Sequence, residues 1–217
     1  QQPFTHRIKR PSNMPIISFR SEMPAHGKAG IVEERVRFTA QVFARHGAKT
    51  KIMRVISGDQ FGRIAFIAFY DDFTSASDIV LAASADPVLK AAVEEERMAP
   101  ATAGLPGSFV YEVEGWPENV SYSLVKHYGV DPADIATVAE EFRKIRGQAD
   151  DLQITVVPAK PKIGPTMNQL RVDYLSNSLV NLGKFMDRES HSETHMALTS
   201  ALKGKCTFSK SRIIELL

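Results

Sequence analysis

The sequence predicts an α+β protein made of two ferredoxin-like units, each with the order β-α-β-β-α-β. Ile64–Tyr70 carries apolar side chains on both of its alternating faces, so it is expected to be a strand that is covered on both sides. A similar stretch, Gln169–Leu179, occurs at the corresponding place in the second half of the chain. Strand-like and helix-like segments also follow one another in the same order in both halves, which indicates a duplicated unit.

The first half divides into strands and helices at recognisable boundaries. An apolar stripe that includes Val32, Val36 and Phe43 predicts an amphipathic helix, and Gly47 is a suitable residue to end it. Pro87 suits the first turn of a helix, so the second helix is expected in two pieces. The predicted elements are strands at Ile16–Glu22, Lys49–Ile56, Ile64–Tyr70 and Ser108–Glu114, and helices at Gly27–His46, Ser75–Ala83 and Asp86–Arg97.

The second half follows the same pattern after a junction at Gly115–Pro117. Asp131 is a suitable N-cap with Pro132 just inside the helix, and Pro158–Thr166 is predicted to be a loop. The predicted elements are strands at Val120–Tyr128, Gln153–Val157, Gln169–Tyr174 and Arg212–Leu217, and helices at Asp131–Arg146, Ser178–Arg188 and Ser192–Leu202. We therefore expect an N-terminal extension at 1–13, a first unit at 14–115 and a second unit at 116–217.

Composition limits the classes of protein to be considered. The chain has 217 residues, of which 43% are hydrophobic and 24% charged, and its net charge is +2. These values are typical of a globular protein, and they give no reason to expect a nucleic-acid partner. Cys206 is the single cysteine, which excludes an intrachain disulfide and a multi-cysteine metal site. No apolar run is long enough for a membrane span and no signal peptide is recognisable, so we expect a cytoplasmic protein.

A sheet with helices on one face leaves its other face bare, and in the first unit that face is too apolar to meet water. The second unit offers a matching sheet. Packing one sheet on the other gives a closed or nearly closed barrel of eight strands with the helices outside. The interior of such a barrel is either filled by side chains or holds one small ligand.

This arrangement, over Pro15–Leu217, resembles the dimeric α+β barrel superfamily with both halves in one chain. Glu189–Leu202, which contains His191 and His195, is similar to the His-x-x-x-His helix of antibiotic-biosynthesis-monooxygenase-like domains. Ser84–Val93 occupies the same place in the first half and has no histidine. The superfamily includes cofactor-free monooxygenases, isomerases and haem-handling proteins, so the resemblance specifies a fold better than an activity.

The second unit's inner face carries the candidate catalytic residues His127, Arg171 and Asp173. It also carries a candidate ligand contact, Ser123. Alternation places Ser123 and His127 on one face of their strand, and Arg171 and Asp173 on the barrel face of theirs. If these strands pair, His127 lies near Arg171 or Asp173. A histidine beside a carboxylate is a possible general base, because the carboxylate fixes its tautomer and stabilises its cation. The alternative is a barrel plugged by an Arg–Asp pair, with His127 at a wet rim.

Other candidates are weaker. Arg20 and Arg54 could hold an anionic or carbonyl group of a ligand, with ordinary surface positions as the alternative. His191 and His195 could bind a metal with a neighbouring glutamate, but a helix break near Ser192 would separate their rings. The haem-degrading relatives carry a histidine later in this helix, and this sequence has none there. We therefore expect no cofactor and no metal.

The first functional hypothesis is a small-molecule-binding barrel protein that acts on an apolar or aromatic compound. Its chemistry would be cofactor-independent, as in a monooxygenase-type oxidoreductase or an isomerase, with His127 abstracting a proton. The alternative is a non-catalytic binding or assembly module. The expected partner is a small-molecule ligand, and the chain is expected to be a monomer with an internal barrel or a homodimer.

Overall fold

The computed structural model describes residues 15–104, 107–145, 151–189 and 192–217, so the extension expected at 1–13 lies outside the described residues. The strands are β1 (Ile16–Glu22), β2 (Lys49–Gly58), β3 (Ile64–Tyr70), β4 (Gly107–Glu112), β5 (Tyr122–Val130), β6 (Thr155–Ile163), β7 (Gln169–Ser176) and β8 (Cys206–Leu216). The helices are α1 (Ala29–Arg45), α2 (Phe73–Ala85), α3 (Pro87–Met98), α4 (Ile135–Lys144), α5 (Leu179–Glu189) and α6 (Glu193–Leu202).

The strands form a closed antiparallel barrel in the order β1-β3-β2-β8-β5-β7-β6-β4. Strands β1 to β4 are contiguous in the ring, and so are β5 to β8. Pairing of β2 with β8 and of β4 with β6 joins the two sets. Because both joints lie within one chain, the barrel closes without a strand from a second molecule.

Three clusters of buried side chains result from this topology. One lies between the outer face of β1–β4 and helices α1 to α3, and contains Phe43 and Phe66. Another lies between the outer face of β5–β8 and helices α4 to α6, and contains Phe142 and Tyr174. The third fills the barrel, with side chains from all eight strands of the described chain. Alternation along each strand separates the inner cluster from the outer ones.

Most predicted elements are confirmed, and the differences have local causes. Helix α4 begins at Ile135 and not at Asp131, because the Asp131 carboxylate accepts a hydrogen bond from the Ala133 backbone (2.9 Å) and closes a turn before the helix. The loop predicted at Pro158–Thr166 is largely strand. The first part of β6 pairs with β7 and the last part with β4, so its prolines meet a partner on one side only and their missing N–H groups are tolerated.

The last strand is longer than predicted. Strand β8 begins at Cys206 and not at Arg212, so the thiol lies in the sheet. A β-bulge interrupts β8 where its pairing with β5 passes from Tyr128–Phe208 to His127–Lys210. The extra residue turns the following side chains to the opposite face of the sheet. Among the described residues, no helix has the length and apolar character needed to cross a membrane.

Candidate functional site

The strand pairing predicted for the second half brings the candidate residues together inside the barrel. Arg171 donates two hydrogen bonds of 2.7 Å to the Asp173 carboxylate, one from Nε and one from Nη2. Ser123 donates a third, of 2.9 Å, to Oδ1 of Asp173. All three side chains are fully buried, and the Arg171 guanidinium lies 3.9 Å from the centroid of the Phe19 ring. This network plugs the barrel, as the alternative interpretation of the sequence expected.

His127 lies opposite Arg171 in the β5–β7 register and is only 4% exposed, so it is not at a wet rim. Its ring contacts Arg212 and not Asp173: Nη2 of Arg212 donates to Nε2 of His127 at 3.0 Å. Burial, with the nearby cations Arg212, Arg171 and Lys210, lowers the pKa of His127 to about 2. The imidazole is therefore neutral near pH 7 and poorly suited to accept a proton.

Of the two interiors that the sequence left open, the filled one is observed: buried side chains occupy most of the barrel interior. Phe19, Tyr111 and Leu175 are among the side chains that occupy it. The space that remains is a pocket of about 40 Å³ at one end of the barrel, next to His127 and Arg171. A drug-sized ligand needs several hundred Å³, so an apolar or aromatic compound does not fit there.

The two arginines proposed as ligand contacts lie on the helix side of the first half. The Arg20 guanidinium is 4.6 Å from the centroid of the Phe43 ring, and burial lowers the pKa of Arg20. Arg54 forms an ion pair with Glu33 of α1 and lies 3.8 Å from Glu215. Neither side chain is brought together with His127 or Asp173.

Of the two histidines considered as metal ligands, His195 lies among the described residues. His191 lies outside the described residues. Ser192 is the N-cap of α6, as predicted, and accepts a hydrogen bond from the His195 backbone (3.0 Å). Within the described part of the chain, no cluster of three metal-ligating side chains is found.

A larger site, which sequence reasoning missed, lies between the sheet and the helices of the second half. This helix cleft has a volume of about 1080 Å³ and is bounded by β5, β8 and helices α4 to α6. Aromatic rings form part of its wall: the Tyr128 ring is 4.8 Å from that of Phe142 and 5.9 Å from that of Phe208, between centroids. The lining includes Lys126, Tyr128, Phe142, Glu189, His195 and Phe208.

One end of the helix cleft is polar. Glu189 forms an ion pair with Lys126, and both side chains are largely buried. The Nδ1 atom of His195 lies 3.5 Å from Oε1 of the same glutamate. The histidine–carboxylate arrangement predicted for His127 is thus found at His195. Burial, and next the charge of Glu189, raise the pKa of Tyr128, so its phenol stays protonated.

Cys206 also lines the helix cleft, but its environment does not activate it. Burial raises the pKa of the Cys206 thiol. The thiol form is therefore favoured over the nucleophilic thiolate.

A signal for the helix cleft was present in the sequence. Lys126 and Tyr128 stand at alternate positions with Leu124, on the strand face opposite to that of Ser123 and His127. A lysine on an otherwise apolar face needs a buried partner or an opening to solvent. The size of the opening depends on how far α6 stands from the sheet, which no sequence pattern specifies.

Comparison of the sequence with family models and with curated proteins gives no match. Solved structures are similar in fold. A candidate monooxygenase from Fusobacterium nucleatum superposes with a TM-score of 0.65 and 10% identity, over 95% of this chain and 94% of that chain. An anthrone oxidase-like protein superposes with a TM-score of 0.65 and 11% identity, over 95% of this chain and 92% of that chain. A candidate monooxygenase from Lactobacillus acidophilus superposes with a TM-score of 0.60 and 11% identity, over 94% of this chain and 93% of that chain.

At this level of identity the likeness concerns the fold alone. The similarity extends over nearly the whole of each chain, so it includes both halves and the barrel between them. It agrees with the resemblance inferred from the sequence. The chain shares its fold with these solved structures.

Proposed function

We propose that this protein binds an apolar or aromatic small molecule in the helix cleft and oxidises it without a cofactor. The observation that carries the proposal is the cleft itself: aromatic walls lead to a largely buried Lys126–Glu189 pair with His195 beside it. An apolar pocket with a few convergent polar groups is the usual form of a small-molecule site. The monooxygenase and anthrone oxidase names of proteins with this fold agree with the proposed reaction class.

In this proposal His195 is the general base. Glu189 orients the ring through Nδ1 and leaves Nε2 to take a proton from an acidic C–H or O–H group of the compound. Lys126 stabilises the anion that forms. The anion reduces O₂, and a methylene group and O₂ are converted to a carbonyl group and water. An isomerase would instead return the proton to another carbon atom.

The proposed architecture is a duplication, with units at 14–115 and 116–217. The order of strands in the barrel supports it. The first half contributes β4-β1-β3-β2 and the second half β8-β5-β7-β6, so in each half the fourth strand is followed by the first, the third and the second. Both halves also carry a second helix in two pieces, α2–α3 and α5–α6, before their last strand.

The test uses native mass spectrometry to measure binding of anthrone and 2-naphthol. An oxygen electrode measures turnover of anthrone, which has the methylene group that the proposed reaction requires. His195→Asn is expected to keep binding and to lower turnover at least 100-fold, the usual contribution of a general base being about 10²–10⁴-fold. His26→Asn, at an exposed loop position, is the matched control. If His127→Gln abolishes turnover and His195→Asn does not, the base lies in the barrel and the proposal is wrong.

The second candidate function is a non-catalytic binding or assembly module. It is favoured by the filled barrel interior and by the neutral His127, which together remove the site first expected for catalysis. Saturable probe binding without oxygen uptake would support this module. The absence of probe binding would argue against the helix cleft as an aromatic site.

A further inference from the structure

One end of the barrel holds a small polar pocket that the proposed function does not use. This barrel mouth has a volume of about 40 Å³ and receives side chains from β1, β2, β4, β5, β7 and β8, and from the loops before β3 and β7. A buried site needs about 10–15 Å³ for each water-sized occupant. The barrel mouth therefore has room for about three or four non-hydrogen atoms. It lies on the opposite face of β5 and β8 from the helix cleft.

The barrel mouth has an excess of positive charge. It is lined by the cations Arg63, Arg171, Lys210 and Arg212. Two carboxylates are nearby: Asp173 is occupied by Arg171 and Ser123, and Asp59 lies 3.5 Å from Lys210 and 3.8 Å from Arg212. Four cations less two carboxylates leave two positive charges. The neutral His127 adds none.

Hydrogen-bond donors in this region lack partners. Nε of Arg212 and Nε of Arg63 are buried without a hydrogen-bond partner among the described residues. The same is true of Nδ1 of His127, which must carry the ring hydrogen because Nε2 accepts from Arg212. Two buried acceptors of this region, Oε1 of Gln169 and Oδ2 of Asp59, also lack a hydrogen-bond partner among the described residues. Buried polar groups are normally satisfied. The three unpaired donors, in a site with an excess of positive charge, favour an occupant that accepts hydrogen bonds.

The backbone is also shaped to present these groups. The β-bulge in β8 turns Phe208 toward the helix cleft and Lys210 toward the barrel mouth. Without the extra residue, the two side chains would lie on the same face. The bulge thus adds a cation to a site that already contains three arginines.

We propose that the barrel mouth binds a small oxyanion, either a free ion the size of formate or nitrate or the carboxylate group of a larger compound. Guanidinium groups suit such anions because their N–H donors match the spacing of the oxygens. Phosphate and sulfate, with five non-hydrogen atoms, exceed the available volume. A neutral imidazole serves here as a donor, which gives His127 a role that its low basicity does not prevent.

The test is calorimetric titration of formate, nitrate and phosphate at constant ionic strength. Saturable binding of formate or nitrate, at least tenfold tighter than phosphate, is expected. Arg212→Gln and Arg63→Gln should each weaken it at least tenfold. The matched control Arg97→Gln removes an exposed cation of α3 and should leave binding unchanged. Absence of saturable binding, or equal weakening in the control, would overturn the proposal.

A variant at the edge of the site distinguishes a loss of binding from a loss of folding. The Lys210 side chain is 34% exposed, so Lys210→Gln is expected to keep the native circular dichroism spectrum and still weaken formate binding. Unchanged affinity in a folded Lys210→Gln, together with unfolded arginine variants, would also overturn the proposal. Benzoate distinguishes the two sources of the anion: binding tighter than formate indicates the carboxylate of a larger compound, and exclusion indicates a free ion.

Discussion

Arg212 donates a hydrogen bond to His127 across the β5–β8 pair, from Nη2 to Nε2 over 3.0 Å. The contact determines the tautomer of the histidine, because the accepting Nε2 cannot also carry a hydrogen. The charge of Arg212 and the burial of the pair also disfavour protonation of the ring. Burial and the charge of Arg171 lower the pKa of Arg212 itself to about 10, so it remains a cation at neutral pH.

The low basicity of His127 predicts sensitivity to acid. Its pKa is about 2 in the folded protein and 6.5 without perturbation, so below pH 6.5 the unfolded chain binds a proton that the folded chain does not. The free energy of unfolding therefore falls as pH decreases, by up to about 1.4 kcal/mol per pH unit from this residue. His127→Gln, which keeps an acceptor for Arg212, should remove this part of the slope in urea denaturation between pH 7 and 5.

The control for this experiment is the exposed His26, for which His26→Gln should leave the pH dependence of wild type unchanged. Parallel slopes for wild type and His127→Gln would contradict the prediction. They would mean that the folded protein takes up the proton as readily as the unfolded chain.

Residue patterns predicted the barrel and part of the polar network inside it. Two-residue alternation assigned Ser123 and His127 to one face. The usual pairing of the first and third strands in such a unit placed their strand beside that of Arg171 and Asp173. The contact with Arg212 was not predictable, because it depends on the register of β5 against β8 and on a bulge that leaves no mark in residue type. Register errors of one residue reverse every facing side chain.

The sequence left open whether the barrel interior is filled, and the helix cleft was missed, for a related reason. Whether a barrel of eight strands is open or filled depends on the summed volume of its inward side chains, and Phe19 and Tyr111 occupy the space that the sequence left undecided. The helix cleft depends on the distance between α6 and the sheet. The residue pattern predicts the order of the elements and which face of each is buried. The filling of the barrel and the width of the helix cleft depend on how the side chains and helices pack.

The buried Arg171–Asp173 pair predicts an asymmetry between single and double substitution. Asp173→Asn leaves the Arg171 guanidinium buried without its carboxylate, and should lower the free energy of unfolding by about 3–5 kcal/mol. Arg171→Met combined with Asp173→Leu removes both charges and should cost less than the single change. Urea denaturation at pH 7 measures both.

An exposed pair provides the comparison. Glu94→Gln breaks the Arg97–Glu94 pair, whose side chains are 73% and 64% exposed, and should change stability by less than about 0.5 kcal/mol. A double variant at positions 171 and 173 that is less stable than Asp173→Asn would show that the pair is net favourable to folding.

The close approach of β2 and β8 at Gly58 makes another prediction. An alanine Cβ at Gly58 would lie 2.5 Å from the Ser211 carbonyl oxygen and 2.9 Å from Cα of Arg212, both backbone atoms. Gly62 shares the same φ of +83° but has no atom within 4 Å of the added Cβ. Gly62→Ala should cost about 1–2 kcal/mol from backbone strain alone. Gly58→Ala should cost clearly more, because the strands must also separate.

Thermal and urea denaturation of the two alanine variants test this difference directly. The shared φ makes Gly62→Ala a matched control, so the excess loss at Gly58 reports the steric contact between β2 and β8. Equal losses would show that the strands separate there without cost.

Filling the helix cleft should block the aromatic ligand while leaving the barrel intact. Thr199 lies on α6, is exposed and lines the cleft, so Thr199→Trp places an indole ring in the opening without removing a buried side chain. The affinity for 2-naphthol, measured by fluorescence titration, should fall at least tenfold. Formate binding at the barrel mouth should not change, because that site lies on the other face of the sheet.

Thr74→Trp is the matched control, since Thr74 is an exposed residue of α2 in the other half of the chain. It should bind 2-naphthol like wild type. Equal affinity in wild type, Thr199→Trp and Thr74→Trp would place the aromatic ligand outside the helix cleft. A loss of both 2-naphthol and formate binding in Thr199→Trp alone would instead show that the two sites are coupled through β5 and β8, the strands that separate them.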